Sequence, residues 1–234
     1  MAKVNISMMT SLSYRASEAY KSLRTNIEFC GKDQHVIAIT SCTPNEGKSS
    51  VSVNLAASLA EAGKRVILVD ADLRKSVLHG RLGIAERVLG LTNYLVGQCQ
   101  LNDVICGTNY PMFDLIMAGP VAPNPAELLG GQTFVNMLEH LRNYYDYIIV
   151  DTPPLGSVID SAIVAKECDG IAIVVAANTV SYRFVRRIKE QLERTDCKIL
   201  GIILNMVDMS NNSYYGKYYG RYYGKYYGKY GKDE

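Results

Sequence analysis

The 234-residue sequence lacks the features that would assign it to several large classes of protein. It has no apolar run of the roughly 18 to 20 residues that a membrane-spanning helix needs. Its first 20 residues contain no apolar stretch of the kind found in secretory signals. We therefore expect a cytoplasmic protein. The six cysteines form no CxxC pair, which argues against a metal site or disulfide framework and indicates reduced, buried thiols. The net charge is only +2, so no strong basic field indicates nucleic acid as a partner.

Strand-length apolar runs alternate with helical patterns along most of the chain. The apolar runs lie at residues 36–40, 65–72, 113–119, 147–151, 171–177 and 199–205. The helical patterns lie at residues 17–27, 52–63, 128–145, 160–167 and 181–194. This alternation is typical of a parallel sheet that is covered on both faces. We predict an α/β fold, a doubly wound and mostly parallel sheet with helices on both faces, over residues 15–208, after an irregular arm at residues 1–14.

The segment TPNEGKSS carries the strongest chemical signal, because it follows the first predicted strand and precedes a helix. Inward-pointing N–H groups, a helix amino terminus and a mobile cation together bind phosphates. Gly47 permits close backbone approach, Lys48 can reach the β- and γ-phosphates, and Ser49 is placed to bind Mg²⁺. Cys42 stands where the full P-loop pattern has its first glycine. The predicted ATP-binding residues of this loop are Thr43, Pro44, Asn45, Glu46, Gly47, Lys48, Ser49 and Ser50.

Three carboxylates follow predicted strands. Asp70 and Asp72 lie two residues apart at the end of VILVDAD, so they share a face in an extended segment, and Asp151 ends YIIVD. Parallel sheets bind ligands at the carboxyl ends of their strands, and Mg²⁺ prefers carboxylate and phosphate oxygens. A single strand-end aspartate often only caps a helix or turn, but three beside a P-loop favour a metal role. Asn205, at the end of GIILN, could bond the adenine edge or serve only the turn.

The last 21 residues repeat a Tyr-Tyr-Gly-basic unit. Glycine at every fourth position opposes a helix, and no aliphatic residue is present to anchor a core, so we predict a disordered tail at residues 209–234. Its five basic and two acidic residues give a net charge of +3. From composition alone it could also be a sticky aromatic segment or could stack on single-stranded nucleic acid. Its tyrosines are Tyr214, Tyr215, Tyr218, Tyr219, Tyr222, Tyr223, Tyr226, Tyr227 and Tyr230.

Taken together, these motifs resemble the bacterial tyrosine kinases of capsule and exopolysaccharide synthesis, in the free-standing cytoplasmic form of Gram-positive bacteria. TPNEGKSS matches Walker A, VILVDADLR matches Walker A′ and YIIVDTPP matches Walker B. EAYKSLRTNI, GPVAPNPAELL and the tyrosine tail match as well, so the resemblance covers nearly the whole chain. It implies a P-loop NTPase fold of the deviant Walker type with ATP and Mg²⁺ as cofactors. Thr43 stands where the related switch ATPases carry a lysine, which favours a kinase over such an ATPase.

The resemblance also implies which residues carry the chemistry. Asp70 would be the base, or the orienting group, for the incoming tyrosine hydroxyl. Arg74 would stabilise charge or order the acceptor site. The implied catalytic residues are Lys48, Asp70, Asp72 and Arg74. The implied metal ligands are Ser49, Asp72 and Asp151.

Partners follow from the same resemblance. It implies a homo-oligomeric ring in which one subunit's tail tyrosines enter the neighbouring active site. Glu18, Lys21 and Arg24 match the family's E-x-x-R-x-x-R interface motif, with a lysine that cannot form the bidentate arginine fork. The same helix could instead present only a solvated charged face. The resemblance further implies a membrane-anchored activating adaptor and a cognate tyrosine phosphatase as partners, and no nucleic acid. A partner- or surface-binding switch ATPase is the main alternative.

Overall fold

The computed structural model describes residues 2–6, 12–31, 33–84 and 88–208, and one sheet forms its framework. The eight strands in these ranges are β1 (Ala2–Val4), β2 (Val36–Ser41), β3 (Val66–Asp70), β4 (Ile105–Thr108), β5 (Phe113–Ile116), β6 (Tyr147–Asp151), β7 (Gly170–Ala176) and β8 (Ile199–Asn205). They lie in the order β1-β4-β5-β3-β6-β2-β7-β8. Neighbours run parallel except β4 and β5, which are antiparallel. The predicted doubly wound, mostly parallel sheet is confirmed.

Helices cover both faces of the sheet. They are α1 (Tyr14–Phe29), α2 (Lys48–Glu61), α3 (Leu78–Leu82), α4 (Leu91–Leu95), α5 (Leu101–Val104), α6 (Pro125–Leu129), α7 (Gln132–Arg142), α8 (Asp160–Ala165) and α9 (Tyr182–Leu192). Val36 and Ala38 of β2 pack into the core under α7, α8 and α9, whereas Ile37 and Ile39 pack into the core under α2. Because alternate residues of a strand face opposite ways, two covered faces require the continuous apolar runs seen in the sequence. Of the helices in the described ranges, none combines the length and apolarity needed to cross a membrane.

The beginning of the chain was predicted wrongly. Residues 1–14 were expected to form an irregular arm, but β1 extends the sheet by pairing in parallel with β4, and Val4 and Ile6 are buried. The prediction also missed β4 itself, which lies between the predicted strands at residues 65–72 and 113–119. Both strands have only three or four residues and depend on pairing with distant parts of the chain. Local periodicity carries too little signal to identify strands of that kind.

The cysteines are only partly as expected. All six are free, and Cys42, Cys106 and Cys168 are buried. Cys30, Cys99 and Cys197 are only half-buried, so the expectation of buried thiols does not hold for them. Burial raises the pKa of Cys42 to about 12, with a smaller contribution from the carboxylate of Glu46. That thiol, which lies next to the P-loop, is therefore protonated at neutral pH and packs as a small apolar side chain.

Candidate active site

The loop between β2 and α2 leaves the amino end of a 14-residue helix open. The residue before α2, Gly47, has φ 84°, and no side chain caps the helix. A Cβ added at Gly47 would lie 2.2 Å from Nδ2 of Asn205, so this position requires glycine for both its conformation and its close contact. The unpaired N–H groups and the helix dipole make this end of α2 attractive to an anion.

Glu46 ties the loop to the ends of two strands. Its buried carboxylate accepts hydrogen bonds from the N–H of Thr43 at 2.6 Å and of Ala176, the last residue of β7, at 3.3 Å. Its carbonyl oxygen accepts from Nδ2 of Asn205, the last residue of β8, at 2.9 Å. Glu46 was predicted to bind ATP, and Asn205 either to bond the adenine edge or to serve the turn; the contacts of both side chains seen here support the loop. Pro44 and Asn45, at the tip of the loop, are exposed.

Lys48 lies between the carboxylates that the sequence singled out. Its Nζ lies 3.5 Å from Oδ2 of Asp151 and 3.6 Å from Oδ2 of Asp72, and it donates to Oγ of Ser49 at 3.2 Å. Ser52, one helical turn after Lys48, donates from its Oγ to Oδ1 of Asp151 at 2.8 Å. Sequence reasoning missed Ser52, although its i+4 spacing from Lys48 places the two on one face of a helix.

Asp70 is completely buried at the end of β3, where it pairs in register with Asp151 of β6. The Ser76 hydroxyl donates to Oδ2 of Asp70, and the Asp72 N–H donates to Oδ1 at 3.2 Å. Burial and the nearby charge of Asp151 raise the pKa of Asp70 to about 7 despite these hydrogen bonds. Burial also raises the pKa of Asp151, and the Lys48 ammonium acts in the opposite direction. The site therefore holds more negative charge than Lys48 alone neutralises.

This arrangement fits magnesium bound together with a nucleotide. Within the described residues, no three His, Cys, Asp or Glu side chains converge closely enough to hold a metal ion by themselves. Mg²⁺ usually keeps several waters and binds through one or two carboxylates and substrate phosphates, so a dedicated protein cage is not expected. Two carboxylates, a serine hydroxyl and an open helix amino end fit that pattern. Ser49, Asp72 and Asp151 are thus suitable candidate ligands.

Arg74 and Arg81 lie beside this site. The guanidinium of Arg74 makes two hydrogen bonds to the fully buried carboxylate of Asp160 in α8, at 2.7 and 2.9 Å. Arg74 thereby joins the segment after β3 to α8, a structural role that the sequence did not indicate. Arg81 of α3 donates to Oγ of Ser50, in the first turn of α2, at 2.9 Å. Sequence reasoning missed Arg81, because no spacing rule links it to the P-loop.

The three candidate interface residues occupy different environments. Glu18 and Lys21 pair with each other on the exposed surface of α1 at 2.7 Å. Arg24 instead donates to the carbonyl oxygen of Ser58 at 2.7 Å, which fastens α1 to α2. Only the first two are thus oriented towards solvent. The nine candidate acceptor tyrosines lie in residues 209–234, outside the described residues.

Comparison with known proteins places these features in a family. Residues 34–200 match the AAA domain family. The chain is 46% identical over 208 residues to the tyrosine-protein kinase CpsD of Streptococcus agalactiae, an alignment that covers 87% of this chain and 91% of that protein. Identity of this extent over nearly the whole of both chains shows a common family.

Solved structures agree with this assignment. The kinase domain of the Escherichia coli tyrosine kinase ETK superposes with a TM-score of 0.80 at 35% identity, over 85% of this chain and 79% of that one. The septum site-determining protein MinD of Pyrococcus horikoshii, solved with Mg-ADP, gives a TM-score of 0.65 at 25% identity, over 75% and 72% of the two chains. This chain therefore belongs to the bacterial tyrosine-protein kinases, within the AAA-domain P-loop proteins.

Proposed function

We propose that this protein transfers the γ-phosphoryl group of ATP to tyrosine hydroxyls, chiefly those of its own tail, and thereby regulates capsule or exopolysaccharide synthesis. The observation that carries the proposal is the position of Lys48 Nζ, within 3.6 Å of Asp72 and Asp151 at the open amino end of α2. A cation between two strand-end carboxylates and a helix amino terminus suits a triphosphate with its metal. Its relatives that are named tyrosine kinases support the transfer of phosphate to tyrosine.

The roles in the site follow from the contacts. Lys48 and the first N–H groups of α2 bind the phosphates, while Ser49, Asp72 and Asp151 would hold Mg²⁺. When bound, the metal neutralises the charge that develops on the transferred phosphoryl group. MinD, a structural neighbour solved with Mg-ADP, supports this pair of cofactors.

Asp70 is suited to act on the acceptor hydroxyl, either as its base or as the group that orients it. Both of its carboxylate oxygens already accept hydrogen bonds, from Ser76 and from the Asp72 backbone, and the side chain is fully buried. A carboxylate offers about four acceptor sites, so a tyrosine hydroxyl can share Asp70 with the Ser76 hydroxyl, which holds the carboxylate in one rotamer.

The tail suits the role of substrate because it is tethered to the enzyme. A flexible tether raises the effective acceptor concentration to about the millimolar range, which offsets weak intrinsic affinity. We propose transfer between subunits of a homo-oligomeric ring, with Glu18 and Lys21 on the exposed face of α1 available for the contact. The proposal also includes a membrane-anchored adaptor that recruits and activates the kinase, and a phosphatase that resets it.

The decisive experiment is incubation of the purified chain with Mg-ATP, followed by mapping of phosphate by mass spectrometry. We expect phosphate on the tyrosines at residues 214–230. Lys48→Met should abolish it, whereas Lys64→Met, a matched change beyond the far end of α2, should leave it unchanged. Release of free phosphate without phosphotyrosine would contradict the kinase proposal and favour a switch ATPase.

A further inference from the structure

An open cleft with a cavity volume of about 550 Å³ lies on the surface between helices α8 and α9. Its apolar floor consists of Ile159, Ala162 and Ile163. Cationic side chains stand around this floor: Lys166 at the end of α8, Arg187 in α9 and Arg194 just after α9. We call this feature the α8–α9 cleft. The nucleotide site described above contributes none of these residues.

The three cations of the cleft are uncompensated. In the part of the chain that the structure describes, no hydrogen bond or ion pair is found for the side chains of Lys166, Arg187 or Arg194. The lining contains one carboxylate, Glu190, which accepts a hydrogen bond from Nε of Arg186 at 2.8 Å and is outnumbered by the three cations. The cleft thus presents a surplus of positive charge, and its two arginines are suited to bidentate bonds with phosphate oxygens.

The floor restricts the kind of anion that fits. Ile159 is 49% exposed and lines the cleft together with the three cations. An inorganic anion would leave that apolar surface in water, whereas a phosphorylated aromatic side chain could lay its ring on the isoleucines and its phosphate among the cations. The combination therefore favours phosphotyrosine over a bare phosphate or a carboxylate.

The end of β8, after which the tyrosine-rich tail follows, lies close to the start of α9. The N–H of Ala177 donates to the carbonyl oxygen of Asn205 at 2.9 Å, so the chain leaves β8 next to the segment that leads into α9. Arg187 lies five residues into α9, about 8 Å along the helix axis. From Asp208, the first tail tyrosine can lie up to about 20 Å away and the last up to about 75 Å. The whole cleft is within reach of the tail.

The charge of the tail decides whether it is attracted to the cleft. The unmodified tail carries a net charge of +3 and is repelled by the cations of the cleft. Each phosphate adds about −1.5 to −2 charges, so roughly two phosphotyrosines cancel the repulsion and further ones reverse it. We propose that the α8–α9 cleft is a docking site for phosphotyrosines of this chain's own tail, an inference that rests on the tail being the substrate. Docking would hold the product tail away from the active site after transfer.

The test uses phosphates installed by synthesis, so it does not depend on the kinase reaction. A labelled peptide of residues 213–231, with three phosphotyrosines or with none, is titrated by fluorescence anisotropy against the full-length unphosphorylated chain without ATP. We expect the phosphopeptide to bind at least tenfold more tightly than the unmodified peptide. The double variant Arg187→Gln/Arg194→Gln should lose at least tenfold of that affinity.

A matched control removes the same charge from α9 outside the cleft. The variant Arg183→Gln/Lys189→Gln, whose two residues do not line the cleft, should bind the phosphopeptide within about twofold of the wild type. Equal weakening by both double variants would overturn the assignment, since it would indicate diffuse attraction to a basic surface. So would equally tight binding of a glutamate-substituted peptide of the same net charge. Failure of the chain to phosphorylate itself would appear only in the Mg-ATP experiment and is therefore distinguishable.

Discussion

The P-loop region and the α8–α9 cleft both present cationic side chains that suit phosphate, but they differ in what surrounds these cations. Lys48 is buried between two aspartates, and the loop that presents it is fastened by Glu46 and Asn205. Arg187 and Arg194 are exposed and uncompensated. A buried, compensated cation costs little reorganisation when a phosphate arrives, so it suits repeated chemistry. Binding to the two exposed arginines of the cleft, which have no compensating partner, instead depends on the charge of the segment that approaches them.

The largest expected effect comes from removing part of the negative charge that surrounds the Lys48 ammonium. Asp72→Asn removes one of its two carboxylate neighbours and one candidate metal ligand. We expect phosphotyrosine formation to fall by at least about 100-fold, in line with the loss of a preorganised electrostatic group at a reacting centre. The measurement is the initial rate of tail phosphorylation with saturating Mg-ATP.

The control for this change is Asp196→Asn. Asp196 is exposed and has φ 59°, a conformation that asparagine also tolerates. We expect a rate within about twofold of the wild type. If Asp72→Asn were equally active, Asp72 would have no part in binding the metal or the phosphates.

A smaller effect should follow from disturbing the shape of the loop without changing its charges. Gly47→Ala places a Cβ within 2.2 Å of Asn205 in a backbone conformation that alanine disfavours. We expect ATP to bind at least tenfold more weakly, measured by calorimetry or nucleotide fluorescence.

Gly63→Ala separates the two causes. Gly63 has φ 81°, nearly that of Gly47, but a Cβ there would meet nothing within 4 Å. This variant should lose about 1–2 kcal/mol of unfolding free energy from the left-handed conformation alone and should retain wild-type ATP affinity. Comparable loss of ATP affinity in both variants would show that general destabilisation of the fold, and not the fit of the loop against Asn205, weakens ATP binding.

The smallest expected effect concerns the ion pair between Arg142 and Asp169. This pair is less buried than the P-loop lysine and less exposed than the arginines of the cleft. Burial alone would raise the pKa of Asp169, but hydrogen bonds from Arg142 and from the N–H groups of Val36 and His35 outweigh it and lower the pKa below its ordinary value. The carboxylate thus stabilises the fold above its unfolded pKa, near 3.9, and this stabilisation is lost as the pH falls through the folded value.

Asp169→Asn should therefore make the free energy of unfolding less dependent on pH under acidic conditions. We expect its unfolding free energy to fall less steeply than that of the wild type as the pH drops from about 5 to about 3, measured by urea denaturation. Asp196→Asn again serves as the control and should keep the wild-type slope. Parallel slopes for all three proteins would mean that the Arg142–Asp169 pair contributes nothing to acid sensitivity.

Most of the sheet and the core of the site could be predicted from the sequence, because each depends on local patterns. A buried parallel strand needs a continuous apolar run, and a P-loop needs its glycine and lysine at the start of a helix. The convergence of Lys48, Asp72 and Asp151 also followed, since the carboxyl ends of parallel strands meet at one edge. The support of the loop by Glu46 and the pairing of Arg74 with Asp160 did not follow, because each joins residues that are more than 80 positions apart.

The sequence by itself thus determined the fold class, the P-loop and the tyrosine-rich tail, since periodicity, motif spacing and repeats are properties of neighbouring residues. Tertiary structure alone decided that the first residues complete the sheet, that Arg24 fastens α1 to α2, and that Lys166, Arg187 and Arg194 surround one cleft. The reason is physical: burial, hydrogen bonding and charge compensation depend on which distant residues come within a few ångströms. No pattern along the chain encodes those distances.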